Sequence, residues 1–245
     1  MSLFRGVAAG LGACALGGLL GGLAAAPAAA DDNGIADESA TTIAEKAREA
    51  MADAQSMTLD ARITDATGTT TLDLHLDVDG NCAGTVGLPG NGGHADLIKR
   101  GQDVWMKLDD TLLKSQVPGP AGDAAIALIN GRYIHGTVQN ALLRDFTDFC
   151  DLSNFKNTFA GRPVNEQLTK GQRTTVDGAP AITVTSRHDN QTGTYYVSTE
   201  DTPYLLKAEV REPGKRDVAS FGDFNEPVPA KTPAPADTIE FSDLQ

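Results

Sequence analysis

From Gly193 to Pro229 apolar and polar side chains trade places along the chain. Tyr195, Val197 and Thr199 alternate with Tyr196 and Ser198, the period of a strand. Thr202-Pro203 interrupts the run. Leu206, Ala208 and Val210 then share one face, opposite Lys207, Glu209 and Arg211. Glu212-Pro213-Gly214 has turn chemistry, because Pro presets φ and Gly supplies φ > 0. A third run, Asp217–Phe224, ends before Pro227. The pattern predicts a β-meander with one apolar face, and such a face has to be covered.

The same period occurs earlier. Leu59, Ala61 and Ile63 alternate with Thr58, Asp60 and Arg62. Leu72, Leu74, Leu76 and Val78 alternate with Asp73, His75, Asp77 and Asp79. Asp79-Gly80-Asn81 is a tight-turn signature, followed by a Gly-rich strand over Cys82–Leu88 and another over His94–Lys99. Val104, Met106 and Leu108 then face away from Trp105 and Lys107. Beyond Gly161-Arg162-Pro163, Leu168–Val176 reads as a polar strand. Asp177-Gly178 turns the chain, and Ile182 and Val184 alternate with Thr183, Thr185 and Arg187. The tail holds Pro227, Pro229, Pro233 and Pro235, which favours an extended edge segment, with Ile239 and Phe241 docking at the end.

Two regions have a helical spacing instead. Over Asp37–Gln55, Ile43, Ala47, Ala50, Met51 and Ala54 form one narrow stripe, with Asp37, Glu38 and Ser39 suited to the N-terminal end. Between about residues 109 and 160 the period of two is lost. Thr111–Gln116 is a helical turn broken by Pro118-Gly119-Pro120, and Asp123–Ile129 is an apolar helix closed by Asn130-Gly131. Arg132–His135 is extended. Phe146, Phe149, Leu152 and Phe155 drift around a single helix, so two short helices are expected over Asn140–Phe159. The element order is that of an α+β protein with about nine to eleven strands, an N-terminal helix and a mid-chain helical insertion.

The first thirty residues have another character. Arg5 is followed by an uncharged small and apolar run and by Ala28-Ala29-Ala30, the layout of a cleaved secretory signal. A membrane anchor is the alternative, and Leu11-Gly12-Ala13-Cys14 offers a third reading, a lipobox with acylation at Cys14. Cleavage after Ala30 is favoured, because a lipobox there would leave an apolar segment where a polar tether belongs. Residues 31–36 are then a short flexible lead, and 37–245 one domain. Without residues 1–30 the chain has 19 Lys and Arg against 33 Asp and Glu, a net charge of −14. Nucleic acid and anionic headgroups are poor partners at that charge. Cys82 and Cys150 remain, an even count in an exported chain; they form either a disulfide or two buried thiols.

Catalytic signatures are missing. There is no G-x-S-x-G, H-E-x-x-H or phosphate loop, and His75, His94, His135 and His188 do not stand at metal-ligand spacing. Asp77-Val78-Asp79-Gly80-Asn81 fails as a calcium loop, since Cys82 and Leu88 occupy the sixth and twelfth places. The chain is expected to be no enzyme and to need no cofactor and no metal.

Five stretches carry a family resemblance: Gly101-Gln102-Asp103-Val104-Trp105-Met106-Lys107, Asn130-Gly131-Arg132-Tyr133, Gly193-Thr194-Tyr195-Tyr196-Val197, Pro203-Tyr204-Leu205-Leu206, and Phe221-Gly222-Asp223-Phe224-Asn225-Glu226-Pro227-Val228. In these, and over Asp37–Leu244 as a whole, the chain resembles envelope lipoproteins of the LppX/LprG type, within the LolA/LolB-like group and especially its actinobacterial members. The resemblance implies a strongly curved antiparallel half-barrel with helices across its concave side and an apolar cavity for acyl chains between them. It also implies a carrier or chaperone of lipid, or of another hydrophobic small molecule, in the cell envelope or secreted. Another envelope protein is a second class of partner, and membrane contact is transient unless Cys14 is acylated. The residues that would line the cavity are Leu59, Ile63, Leu72, Leu74, Leu76, Val104, Met106, Ile182, Val184, Leu206 and Val210, with Phe146 and Phe149 from the lid. On residue type alone these are ordinary core, and the alternative is an interaction or sensory module with a filled interior.

Overall fold

A computed structural model describes residues 32–90, 92–153, 155–156 and 167–244. The expected signal, Cys14, Phe159 and the turn at Gly161-Arg162-Pro163 lie outside the described residues. In chain order the elements begin with α1 (Ala40–Asp53), β1 (Ser56–Asp65), β2 (Gly68–Asp77), β3 (Cys82–Gly87), β4 (His94–Arg100) and β5 (Asp103–Leu108). Next come α2 (Asp110–Gln116), α3 (Pro120–Ile129), β6 (Tyr133–Thr137) and α4 (Ala141–Thr147). The chain continues with β7 (Gln167–Val176), β8 (Ala179–His188), β9 (Gln191–Ser198), β10 (Leu205–Glu212), β11 (Lys215–Gly222) and β12 (Thr238–Glu240).

All twelve described strands belong to one curved, open sheet in the order β12-β6-β5-β4-β3-β2-β1-β11-β10-β9-β8-β7. The two meanders meet where β1 pairs with β11, Leu59 opposite Phe221 and Ala61 opposite Ala219. The strand count exceeds the expected nine to eleven, and the sheet is not wholly antiparallel. The tail contributes β12, which runs parallel to β6 with Ile239 beside Ile134. A three-residue strand between prolines and a 3-10 turn is too short to show any period.

Gly84 lets β3 come close to β2. It sits in β3 at φ +150° opposite Leu74, and a Cβ there would stand 2.0 Å from the Asp73 carbonyl oxygen. A strand glycine of this kind lets two backbones approach closely.

The N-terminal helix is shorter than the predicted Asp37–Gln55. Ser39 is its N-cap, with Oγ accepting from the Thr42 N–H at 3.2 Å. At its other end Lys156 Nζ donates to the carbonyls of Ala52, at 2.9 Å, and Ala54, so a cation from the insertion closes the negative end of α1. Burial pushes the Lys156 ammonium below its ordinary pKa, against the pull of Asp53. The expected flexible lead is a correction: residues 32–36 are held. Asp32 bridges to Glu200, the Asn33 N–H donates to Thr199 O at 2.9 Å, and Ile35 and Ala36 are buried. Two apolar side chains followed by an acid looked like a polar lead, but they pack under the sheet.

In the insertion, α3 begins at Pro120 rather than Asp123. Pro at the first position of a helix loses no hydrogen bond, so Pro118-Gly119-Pro120 is both a stop and a start. Asn130, at φ 50°, closes α3 as expected. Asp109 caps α2 by accepting from the Leu112 N–H at 2.7 Å, and its other carboxylate oxygen meets His94 Nδ1 at 2.8 Å. After α4 a 3-10 turn, Asp148–Cys150, breaks the helix, in keeping with two short pieces.

Candidate functional site

The face of the sheet under the helices carries the largest apolar cluster. Leu59, Leu72, Leu74, Leu76, Val104 and Met106 all belong to it, none more than 3% exposed. Strand neighbours Val86, Leu97 and Ile134 complete this floor. The roof is Leu112 and Leu113 from α2, Ile129 from α3, Leu143 from α4, and Leu152. Phe146, Phe149 and Phe155 are half-buried against it, Phe155 edge-on to Phe221 with ring centroids 6.5 Å apart. Leu152 is among the large side chains read in the insertion; Leu112, Leu113 and Leu143 escaped the sequence reading because the insertion has no strand period and its helices are too short to show a stripe.

Ile182 and Val184 are buried elsewhere. With Val197 they meet Ile35, Ala36, Ile43 and Ala47 in a second cluster under the first half of α1. The structure therefore divides the predicted lining between two clusters. Met51 and Ala54, near the end of α1, belong to the first.

Two predicted lining residues are not buried as expected. Ile63 is 40% exposed, because β1 and its neighbours run on beyond the helical cover and burial on that face fades after Ala61. Leu206 is only half-buried, and Leu205 takes its place in the first cluster. The cause is a register shift. Leu205 pairs with Val197 and Lys207 with Tyr196, so Leu206 is an extra residue and the alternation changes sides there. Ala208 keeps the predicted inward face, and Val210 is half-buried. Leu205→Ala is expected to cost about 2–5 kcal/mol and Leu206→Ala about 1 kcal/mol or less. Urea denaturation of both variants checks this, and equal losses would mean that the bulge does not set the inward face.

Cys82 and Cys150 form a disulfide, Cα atoms 5.4 Å apart across 68 positions of sequence. It ties the start of β3 to the turn after α4, and so the roof to the floor. Nearby, Lys99 Nζ donates to the Gly80 carbonyl. Burial holds the Lys99 ammonium below its ordinary pKa, while Asp77 and Asp151 pull it back up.

A groove of about 420 Å³ opens between Asp77, Asn81 and Arg100 on one side and residues 228–231 on the other. The Asp77 carboxylate already accepts from the Asn81 backbone N–H at 2.8 Å and from the Asn81 side-chain amide at 2.9 Å. None of the predicted lining residues reaches this groove. His94 pairs with Asp109 as above, His135 stacks on Trp105 at 4.6 Å and lies 3.0 Å from Glu240, and His188 lies 3.5 Å from Asp189. Among the described residues no three His, Cys, Asp or Glu side chains are grouped to hold a metal ion. No helix among them is long and apolar enough to cross a membrane.

No protein-family model matches the chain, and no curated protein does. Solved structures do. LprF from Mycobacterium bovis superposes with a TM-score of 0.55 at 12% identity, over 80% of this chain and 97% of that one. The Mycobacterium tuberculosis lipoprotein LppX gives 0.48 at 11% identity, over 78% and 98%. MucB in complex with MucA gives 0.35 at 14%, over 80% and 59%. At these identities the likeness concerns architecture, and LprF carries it. The chain has the fold of LprF.

Proposed function

We propose that the protein binds lipid or another hydrophobic small molecule between the curved sheet and its helices, and carries it outside the cytoplasm without catalysing a reaction on it. The observation that carries this reading is the construction of the roof. The main apolar cluster spans the sheet from β12 to β10, yet over its first half it is covered by three helices of only seven to ten residues. Each is a separate piece, and they can part from the sheet without disturbing a strand pairing. A ligand entering there meets Leu, Val, Met and Phe side chains and gains about 0.8 kcal/mol per buried CH₂, which favours acyl chains over polar ligands. The Cys82–Cys150 bond keeps one roof segment attached during such an opening.

The depth of burial of Leu74 and Met106 favours a second reading, a filled core and an envelope module that works through its surface. One pair of measurements separates the two. Protein exported from cells is extracted with organic solvent for lipid mass spectrometry, and uptake of a fluorescent fatty acid is titrated. On the carrier reading lipid co-purifies, and Met106→Trp cuts uptake about tenfold while the protein stays folded. In a close-packed core that substitution costs about 1–3 kcal/mol. A lipid-free protein that takes up no probe, with a Met106→Trp variant destabilised to that extent, would sink the carrier reading.

A further inference from the structure

Helix α3 is apolar on both sides, and only one side is covered. Gly122, Ile126 and Ile129 face inward; Ile129 lies in the main cluster and Ile126 packs against it. Ala121, Ala124 and Leu128 form the opposite stripe, with Ala127 beside it, all exposed. Leu128 is 53% exposed, and Val117, where the chain enters the helix, is 39% exposed. Asp123 is the sole charged residue of the helix. A helix that is apolar all round normally lies in a protein interior or a membrane. The orientation of α3 is fixed from within. A Cβ on Gly122 would stand 2.1 Å from the Val117 carbonyl oxygen, so this side of α3 sits hard against the end of α2.

Charge says what can cover that stripe. Between Asp110 and Asp145 the chain has one carboxylate, Asp123, against Lys114, Arg132 and Arg144, in a protein with 33 acidic residues and a net charge of −13. Asp123 is offset by Lys114 at 3.5 Å. The Arg132 guanidinium lies over the helix end, donating to Leu128 O at 2.7 Å and Ile129 O at 3.1 Å. This region can approach a phospholipid surface that repels the rest of the chain. A second copy is a poor occupant. Ten residues of helix are about 15 Å long and ~10 Å wide, so the outer face covers on the order of 150 Å², against roughly 800 Å² per partner in a stable dimer.

We propose that the outer face of α3, with Val117 at its entry, is a membrane-docking surface. Its apolar stripe enters the headgroup boundary of a bilayer while its inner face remains over the core. The proposal rests on the carrier reading, since it supplies the surface from which that core would be loaded. Docking is shallow and reversible, because the stripe is one leucine, one valine and small side chains.

The test uses exported protein carrying Cys14→Ser, so that no acyl group contributes, and the same protein with Val117→Asp and Leu128→Asp. Co-flotation is measured with vesicles of phosphatidylcholine alone and with phosphatidylglycerol added, and fatty-acid uptake is measured separately without vesicles. The parent is expected to float with both vesicles and the double variant to lose about tenfold of that binding. Uptake should be the same for both proteins. A parent that does not float, or a variant that floats equally well, overturns docking even if uptake is normal. A parent that is dimeric by light scattering and monomeric only in the variant, with no vesicle binding, also overturns it and assigns the stripe to self-association. Loss of uptake in the parent with vesicle binding intact overturns the carrier reading and leaves docking standing.

Discussion

Replacing Cys82 and Cys150 together by Ala is expected to lower stability by about 4 kcal/mol. The bond closes a loop of 68 positions that contains β4, β5, α2, α3, β6 and α4. Without it the unfolded chain regains the freedom of that whole segment. Both residues are at most 1% exposed, so two voids of thiol size are left at the junction of roof and floor as well. Denaturant unfolding of the oxidised protein and of the double variant measures the difference, and a loss under about 1 kcal/mol would contradict the expectation. Amide exchange should show the loosening first in α4 and α2, with β8 and β9 protected as before. Those strands lie in the half of the sheet that the disulfide does not touch.

Gly84→Ala should be the most damaging single-methyl change in the sheet, costing about 3 kcal/mol or more. The added Cβ would press on the Asp73 carbonyl of β2, a backbone atom that cannot turn aside, and the φ of +150° suits no L side chain. Gly87→Ala is the control. It lies in the same strand, and its Cβ would meet the Thr71 hydroxyl, which can rotate away. A cost within about 1 kcal/mol is expected there. If thermal unfolding gives equal losses for both, the close approach of Gly84 to the Asp73 carbonyl is not what the substitution disturbs.

The strands were legible because most of them face water on one side, and a half-buried strand must alternate. Leu72, Leu74 and Leu76 are the clearest case, and all three are buried in the main cluster. Legibility fails where a single residue changes the count. At Leu205-Leu206 both neighbours are leucine, so nothing in composition says which one faces in; the choice is made by the register of pairing with Tyr196 and Val197 on the adjacent β9. It fails again where burial depends on how far a distant element reaches. Ile63 sits on a correct strand and a correct face, but beyond the end of the cover. The roof was the least readable part. Leu112, Leu113 and Leu143 belong to seven-residue helices whose position over the sheet comes from tertiary packing, not from a stripe of their own. The outer face of α3 was readable as apolar, but not as exposed.

The pairing of β1 with β11 also sets a timetable. As the chain is made, β1 to β5 can zip up by short hairpins almost at once, but one side of β1 stays bare until Lys215–Gly222 exists. That bare side is a central strand of the finished sheet, with Leu59 and Ala61 behind it, and for most of synthesis it is an edge. A contact this distant in sequence forms late and slowly, and an unpaired inner edge invites pairing with another chain. The seam thus rewards keeping the chain unfolded until Lys215–Gly222, near its C-terminal end, is available.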